Sequence, residues 1–128
     1  MAYDNPSTVT FQFGQHDFGA GAGALSFKLP KGKAGRLLDV GVTNITETFT
    51  NDTTPAYFNV GTTGDADAYA SLNLATAAAT DTFNTVDDTD AIISATLPAD
   101  TQIEVTMVAP TGGTPAGIGT PYVVVEVY

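Results

Sequence analysis

Apolar and polar residues alternate with a period of two along much of this chain, the pattern of strands with one buried face. Val9, Phe11 and Phe13 fall on one face, with Thr8, Thr10 and Gln12 on the other. Leu25, Phe27 and Leu29 alternate with Ala24, Ser26 and Lys28. Leu38, Val40 and Val42 alternate with Asp39, Gly41 and Thr43, and the run Ile45 to Phe49 continues that strand or begins the next. Ala56, Phe58 and Val60 oppose Tyr57 and Asn59. Ile103, Val105, Met107 and Ala109 oppose Gln102, Glu104, Thr106 and Val108. The last segment puts Val123, Val125 and Val127 on one face and Tyr122, Val124, Glu126 and Tyr128 on the other.

The alternation fails between residues 62 and 90. Asp65 is a good cap for the amides of Asp67 and Ala68, and the alanines and leucines that follow favour helix. A short helix is therefore expected near residues 65–74. Residues 75–90 read as an exposed, loosely ordered excursion pinned by Phe83 and Val86. Ile93 and Leu97 are expected to be buried, and the Gly/Pro run 110–119 to be a loop. This gives an all-β chain of about eight strands, joined by short hairpins and a few long connections. That mixture favours a β-sandwich of jelly-roll or Greek-key type over an up-and-down barrel. Residues 7–128 make a single domain. Residues 1–6 are a polar, Pro-ended arm unsuited to folding alone.

Charge sharpens this picture. The chain has 14 acidic residues, 4 Lys and Arg, and a net charge of −10. All the Lys and Arg, namely Lys28, Lys31, Lys33 and Arg36, lie in one Gly/Pro-containing loop. The body is anionic and one edge is cationic, which marks that edge as a docking point for carboxylates. The same charge argues against nucleic acid, whose binding requires several phosphates to be neutralised, and against anionic membranes. No apolar run approaches the ~18 residues of a membrane span. Cys is absent, so disulfides, thiolate nucleophiles and Cys-bound zinc are excluded. The opening residues have no signal-peptide pattern, so synthesis in a cytoplasm is expected.

Candidate chemistry is sparse. His16, the one histidine, lies in a Gly-containing turn beside Asp17, with no GxSxG motif to supply a nucleophile. Asp65-Ala-Asp67 and Asp87-Asp-Thr-Asp90 lack the EF-hand spacing and read as Asx turns. Gly19-Ala-Gly-Ala-Gly23 lacks the GK[ST] of a phosphate loop. No catalytic residue, metal site or cofactor is expected.

Two segments carry a resemblance. They are LPKGKAGRLLDVGVTNITETFTNDTTPAYFNVGTTGDADAYASLNL, residues 29–74, and PTGGTPAGIGTPYVVVEVY, residues 110–128. In texture and order the chain resembles the small β-sandwich proteins with which tailed bacteriophages decorate, or cement, their capsids. A lysine/glycine hairpin leads into a hydrophobic LLDV strand, a Thr-rich TETFT segment and a VGTTGDADAY turn follow, and a Gly/Pro loop precedes a Val-rich last strand. The arm and residues 75–90 fall outside it. The resemblance implies a jelly-roll-like subunit, usually a homotrimer, on the outer surface of the virion. Its partners would be the major capsid protein and copies of itself. Two capsid-contact surfaces are expected: the basic loop with Lys28, Lys31, Lys33 and Arg36, and the arm with Met1, Tyr3, Asp4 and Asn5. Self-association is expected through Tyr122, Val124, Glu126 and Tyr128. The alternative is a carbohydrate-binding or adhesin-type jelly-roll module, which a row of Tyr3, Tyr57, Tyr69 and Tyr122 on one sheet would favour.

Overall fold

The computed structural model describes residues 7–51 and 53–128. The expected arm, with Met1, Tyr3, Asp4 and Asn5, lies outside the described residues. Among the described residues ten strands form, in chain order: β1 (Ser7–Gln12), β2 (His16–Asp17), β3 (Gly23–Phe27), β4 (Gly35–Thr50), β5 (Tyr57–Gly61), β6 (Ala70–Asn73), β7 (Phe83–Asn84), β8 (Thr96–Leu97), β9 (Ile103–Val108) and β10 (Ala116–Val127). They make two antiparallel sheets packed as a β-sandwich. The first runs β1-β10-β4-β7, with β2 also on β10 and β8 also on β4. The second runs β3-β9-β5-β6.

The core lies between the sheets, and the period-two pattern supplies it. Val123, Val125 and Val127 from β10 meet Ile103, Val105 and Met107 from β9 and Phe58 and Val60 from β5, all buried. Aromatic rings fill the side where β1 faces β3. Phe11 stacks on Phe27 at 4.4 Å between ring centroids, and Phe13 packs edge-on to Phe58 at 6.3 Å. Removing a ring as buried as Phe58 would cost about 3–5 kcal/mol.

Several expectations change for definable reasons. Leu38 does not join Val40 in the core. Opposite β10, Leu37 pairs with Val125 and Asp39 with Val124, so Leu38 is the extra residue of a β-bulge. The bulge shifts the strand's parity, turning Leu37 inward and leaving Leu38 40% exposed. Leu25 is exposed because β3 pairs only with β9 and ends its sheet. Ile93 is exposed, while neighbouring Ala91 and, further along, Leu97 are fully buried.

No helix forms near residues 65–74. Residues 62–68 are turns closed by Thr62 N–H to the Asp65 carbonyl at 2.8 Å and Ala68 N–H to the same carbonyl at 3.2 Å. Residues 70–73 become β6 and pair with β5 from Val60↔Ala70 to Tyr57↔Asn73. The ladder outweighs a helix propensity spread over too few residues to nucleate. Residues 75–90 are not a loose excursion. Phe49 N–H bonds the Ala77 carbonyl at 3.0 Å, Thr80 N–H bonds the Ile45 carbonyl at 2.7 Å, and Ala77 and Phe83 are buried. Val86, expected to help pin this segment, is 81% exposed. The end of the expected 110–119 loop is already strand.

Gly117 at the start of β10 has φ +147°. A Cβ there would lie 2.3 Å from the Phe49 ring. Gly117→Ala should therefore destabilise the fold by about 1–3 kcal/mol through overpacking and backbone strain. Gly64→Ala, whose Cβ would meet nothing within 4 Å, should not do so. Urea midpoints of the two variants check this contrast.

Candidate functional site

The four cations gather at one end of the sandwich, on and beside a turn pinned by hydrogen bonds. Lys28 directly follows β3, Arg36 is the second residue of β4, and a tight turn joins them. Lys33 N–H bonds the Pro30 carbonyl at 2.9 Å, and Gly32 N–H bonds Asp100 Oδ1 at 3.0 Å. Ala34 and Tyr128 exchange backbone bonds of 3.2 and 3.0 Å, tying the turn to the end of the last strand. Lys28, Lys31 and Arg36 are exposed and Lys33 is half-buried. These bonds fix the backbone of the turn within the chain itself.

The expected self-association residues are not all equivalent. Tyr122, Val124 and Glu126 share the outer face of the first sheet and are half-buried, while Tyr128 is 45% exposed. Glu126 lies directly opposite Arg36 across the β10–β4 pair, an opposite-charge pairing within the same chain. Tyr122 lies flat across Gly41, where a Cβ would come within 2.5 Å of the phenol. Its hydroxyl donates to Asp39 Oδ2 at 3.0 Å and accepts from Asn84 Nδ2 at 3.4 Å. Asp39 Oδ1 accepts from the Thr85 hydroxyl at 2.7 Å and the Thr85 amide at 3.2 Å. This network, absent from the sequence reading, fastens residues 83–86 onto the first sheet. Its one legible signal was a glycine in an otherwise bulky strand, a place where an aromatic ring can lie across the backbone.

Burial is the largest influence on Tyr122 and raises its pKa above the usual 10.0. The Asn84 hydrogen bond opposes this, while the charge and hydrogen bond of Asp39 and the charge of Asp87 add to it.

Elsewhere the chemistry is plain. His16 Nε2 donates to the Gly21 carbonyl at 2.9 Å, and its ring packs edge-on to Phe18 at 4.8 Å. Asp17 Oδ1 accepts the Ala20 amide at 3.1 Å and Asp88 Oδ1 accepts the Asp90 amide at 3.3 Å, as Asx-type turn contacts do, while Asp88 Oδ2 accepts the amide of the distant Asn73 at 3.0 Å. Among the described residues no three His, Asp or Glu side chains are grouped to hold a metal ion. Tyr57 is on the outer face of the second sheet and Tyr122 on that of the first, so these two do not share a row.

No family model, curated protein or solved structure matches the chain.

The Tyr122 network has a pH signature. A raised folded-state pKa means that the native state holds the phenolic proton where the unfolded chain has released it. This contribution to stability is complete below pH 10.0 and is lost as pH rises through the higher native value. Tyr122→Phe should cost about 1–2 kcal/mol near neutral pH, because Asp39 loses a donor. Between about pH 9 and pH 11 the gap to wild type should narrow. Urea midpoints across that range test both statements; a constant gap would contradict them.

Proposed function

We propose that this chain is a structural virion protein that binds the outside of a tailed-phage capsid and cements it by bridging neighbouring major capsid proteins. The observation that carries this reading is the separation of charge on a pinned scaffold. All four Lys and Arg occupy one end of the body, with Asp100 and Glu126 beside them, while most of the chain's 14 acids lie elsewhere in the sequence. Such a body orients itself in the field of an anionic surface before contact, with the cationic end leading. The backbone bonds to Pro30 and Tyr128 and the bond to the Asp100 carboxylate hold the backbone of the turn that carries the cations.

The resemblance of residues 29–74 and 110–128 to capsid decoration proteins supplies the nature of that surface. A subunit bound across adjacent capsid proteins gains free energy that it loses when the shell opens, so it favours the closed shell. Several copies acting together, as in the homotrimer that the resemblance implies, multiply weak contacts through effective concentration. Nothing in this role requires turnover, a cofactor or a metal. The residues assigned to the shell are Lys28, Lys31, Lys33 and Arg36.

Replacing Lys31, Lys33 and Arg36 with Ser should weaken binding to undecorated heads of the encoding phage by on the order of tenfold or more at low salt, with a smaller difference at moderate salt. Occupancy by co-sedimentation reads both. Equal occupancy of variant and wild type at both salt levels would remove the cationic end from this role. Failure of the wild type to bind at all would remove the capsid reading itself.

A further inference from the structure

The outer face of the second sheet is a continuous platform, and the strand register lays it out in rows. Ala24, Thr106, Asn59 and Ser71 stand side by side across all four strands. The neighbouring row on one side is Ser26, Glu104 and Gly61. On the other side it is Val108, Tyr57 and Asn73. The alternate rows, through Phe58, Val60, Val105 and Met107, point the other way and are buried in the core. A Cβ at Gly61 would collide with the backbone of Asp65 and Ala66, so the 62–68 turn walls one end of the platform. At the β3–β9 edge lies a shallow depression of about 390 Å³, lined by Ala24, Leu25, Ser26, Gln102 and Glu104. That volume is within the range of small-molecule sites.

The platform departs from the acidic composition of the chain. Net charge is −10, yet Glu104 is the one charged side chain in these three rows. None of the four Lys and Arg lies in them; Lys28 comes after β3 has ended. The remaining polar groups are neutral hydroxyls and amides, which both donate and accept. Two of them are unspent. Asn59 Oδ1 and Thr106 Oγ1 are shielded from solvent and have no hydrogen-bond partner among the described residues, and their residues sit directly opposite each other across β5 and β9. Unpaired buried polar atoms cost stability, and each one in a native fold calls for an explanation. On the outer face of the first sheet the corresponding groups, Tyr122 and Asp39, are paired. An apolar β-branched residue at 106 would remove one of the two unpaired atoms at no loss of strand propensity. Both Asn59 and Thr106 are half-buried, so their side chains reach the surface. Beside them half-buried Tyr57 offers part of an aromatic ring.

We infer that this platform binds a neutral, hydroxyl-rich glycan laid along the Ala24–Ser71 row. Side-chain rotation turns the two unspent groups toward the ligand. One sugar hydroxyl donates to Asn59 Oδ1, another accepts from the Thr106 hydroxyl, and the C–H face of a ring rests on Tyr57. An anionic glycan meets no cation in the rows, only Glu104 and, on the wall, exposed Asp65. The site is separate from the cationic end and independent of what that end binds. Backbone amide chemical shifts of the isotope-labelled full chain test it. Maltohexaose, cellohexaose and mannohexaose serve as neutral probes and hexagalacturonate as the anionic one, each at about 10 mM, tenfold above a millimolar Kd. At least one neutral probe should shift the amides of Asn59, Ser71 and Thr106 and leave those of Lys31 to Arg36 in place, and hexagalacturonate should not shift them. Thr106→Val, which removes an unpaired hydroxyl at nearly constant shape, should keep or raise the urea midpoint while weakening that binding about three- to tenfold. Absence of shifts with every neutral probe overturns the proposal, as do shifts confined to another face or an equal response to hexagalacturonate. So does Thr106→Val with unchanged binding or a lowered midpoint. Shifts of these amides with protein concentration in the absence of sugar would give the face to a second copy instead, and would overturn it too.

Discussion

The pairing of β4 with β10 is the constraint on which the rest of this molecule depends. These are its longest strands, at 16 and 12 residues, and their register runs from Ala116↔Thr50 to Val127↔Gly35. β10 also carries β1 and β2 on its far side, and β4 carries β7 and β8. Every strand of the first sheet is thus attached to one of these two. The ladder needs its irregularities. Gly117 and Gly119 let Phe49 and Val42 press against the backbone, and the bulge at Leu38 turns Leu37 inward while leaving an apolar side chain outside.

The same ladder fixes the charge geometry. Its far end places Gly35 opposite Val127 and Arg36 opposite Glu126, and Tyr128 then bonds Ala34. The cations are held at the pole of a rigid sheet. Exposed ion pairs stabilise a fold little, so this clustering offers small benefit to folding. Its larger effect is on encounter and orientation, where a dipolar distribution of charge on a low-charge-density surface acts over about a Debye length. The cluster thus supports the proposed docking role more than a contribution to folding.

Much of the fold was legible in the sequence because alternation survives wherever a strand is regular and half-buried. The Ile103–Met107 and Val123–Val127 faces, and the pair Phe58 and Val60, lie in the core as their spacing indicates. Alternation misled where geometry changes parity or where a strand is too short to show a period. The bulge at Leu38 creates no signal in the residue types themselves, since two adjacent leucines satisfy either phase. Residues 70–73 look helical locally and become strand only because β5 offers a partner distant in sequence. The seating of residues 84–97 was missed because bonds such as Asn73 N–H to Asp88 and Thr85 to Asp39 depend on tertiary placement. Of the candidate surfaces, the cationic end was visible from the positions of Lys28, Lys31, Lys33 and Arg36 in the sequence. The engagement of Tyr122 by Gly41, Asp39 and Asn84 was not, because it spans three strands.

The polarity of docking is the centre of this account, and imaging a decorated head at side-chain resolution by cryo-electron microscopy tests it most directly. The account predicts that the pole bearing Lys28, Lys31 and Arg36 faces the shell, close to capsid carboxylates. Density in which that pole points to solvent, with an acidic surface of the sandwich seated on the capsid, would contradict it.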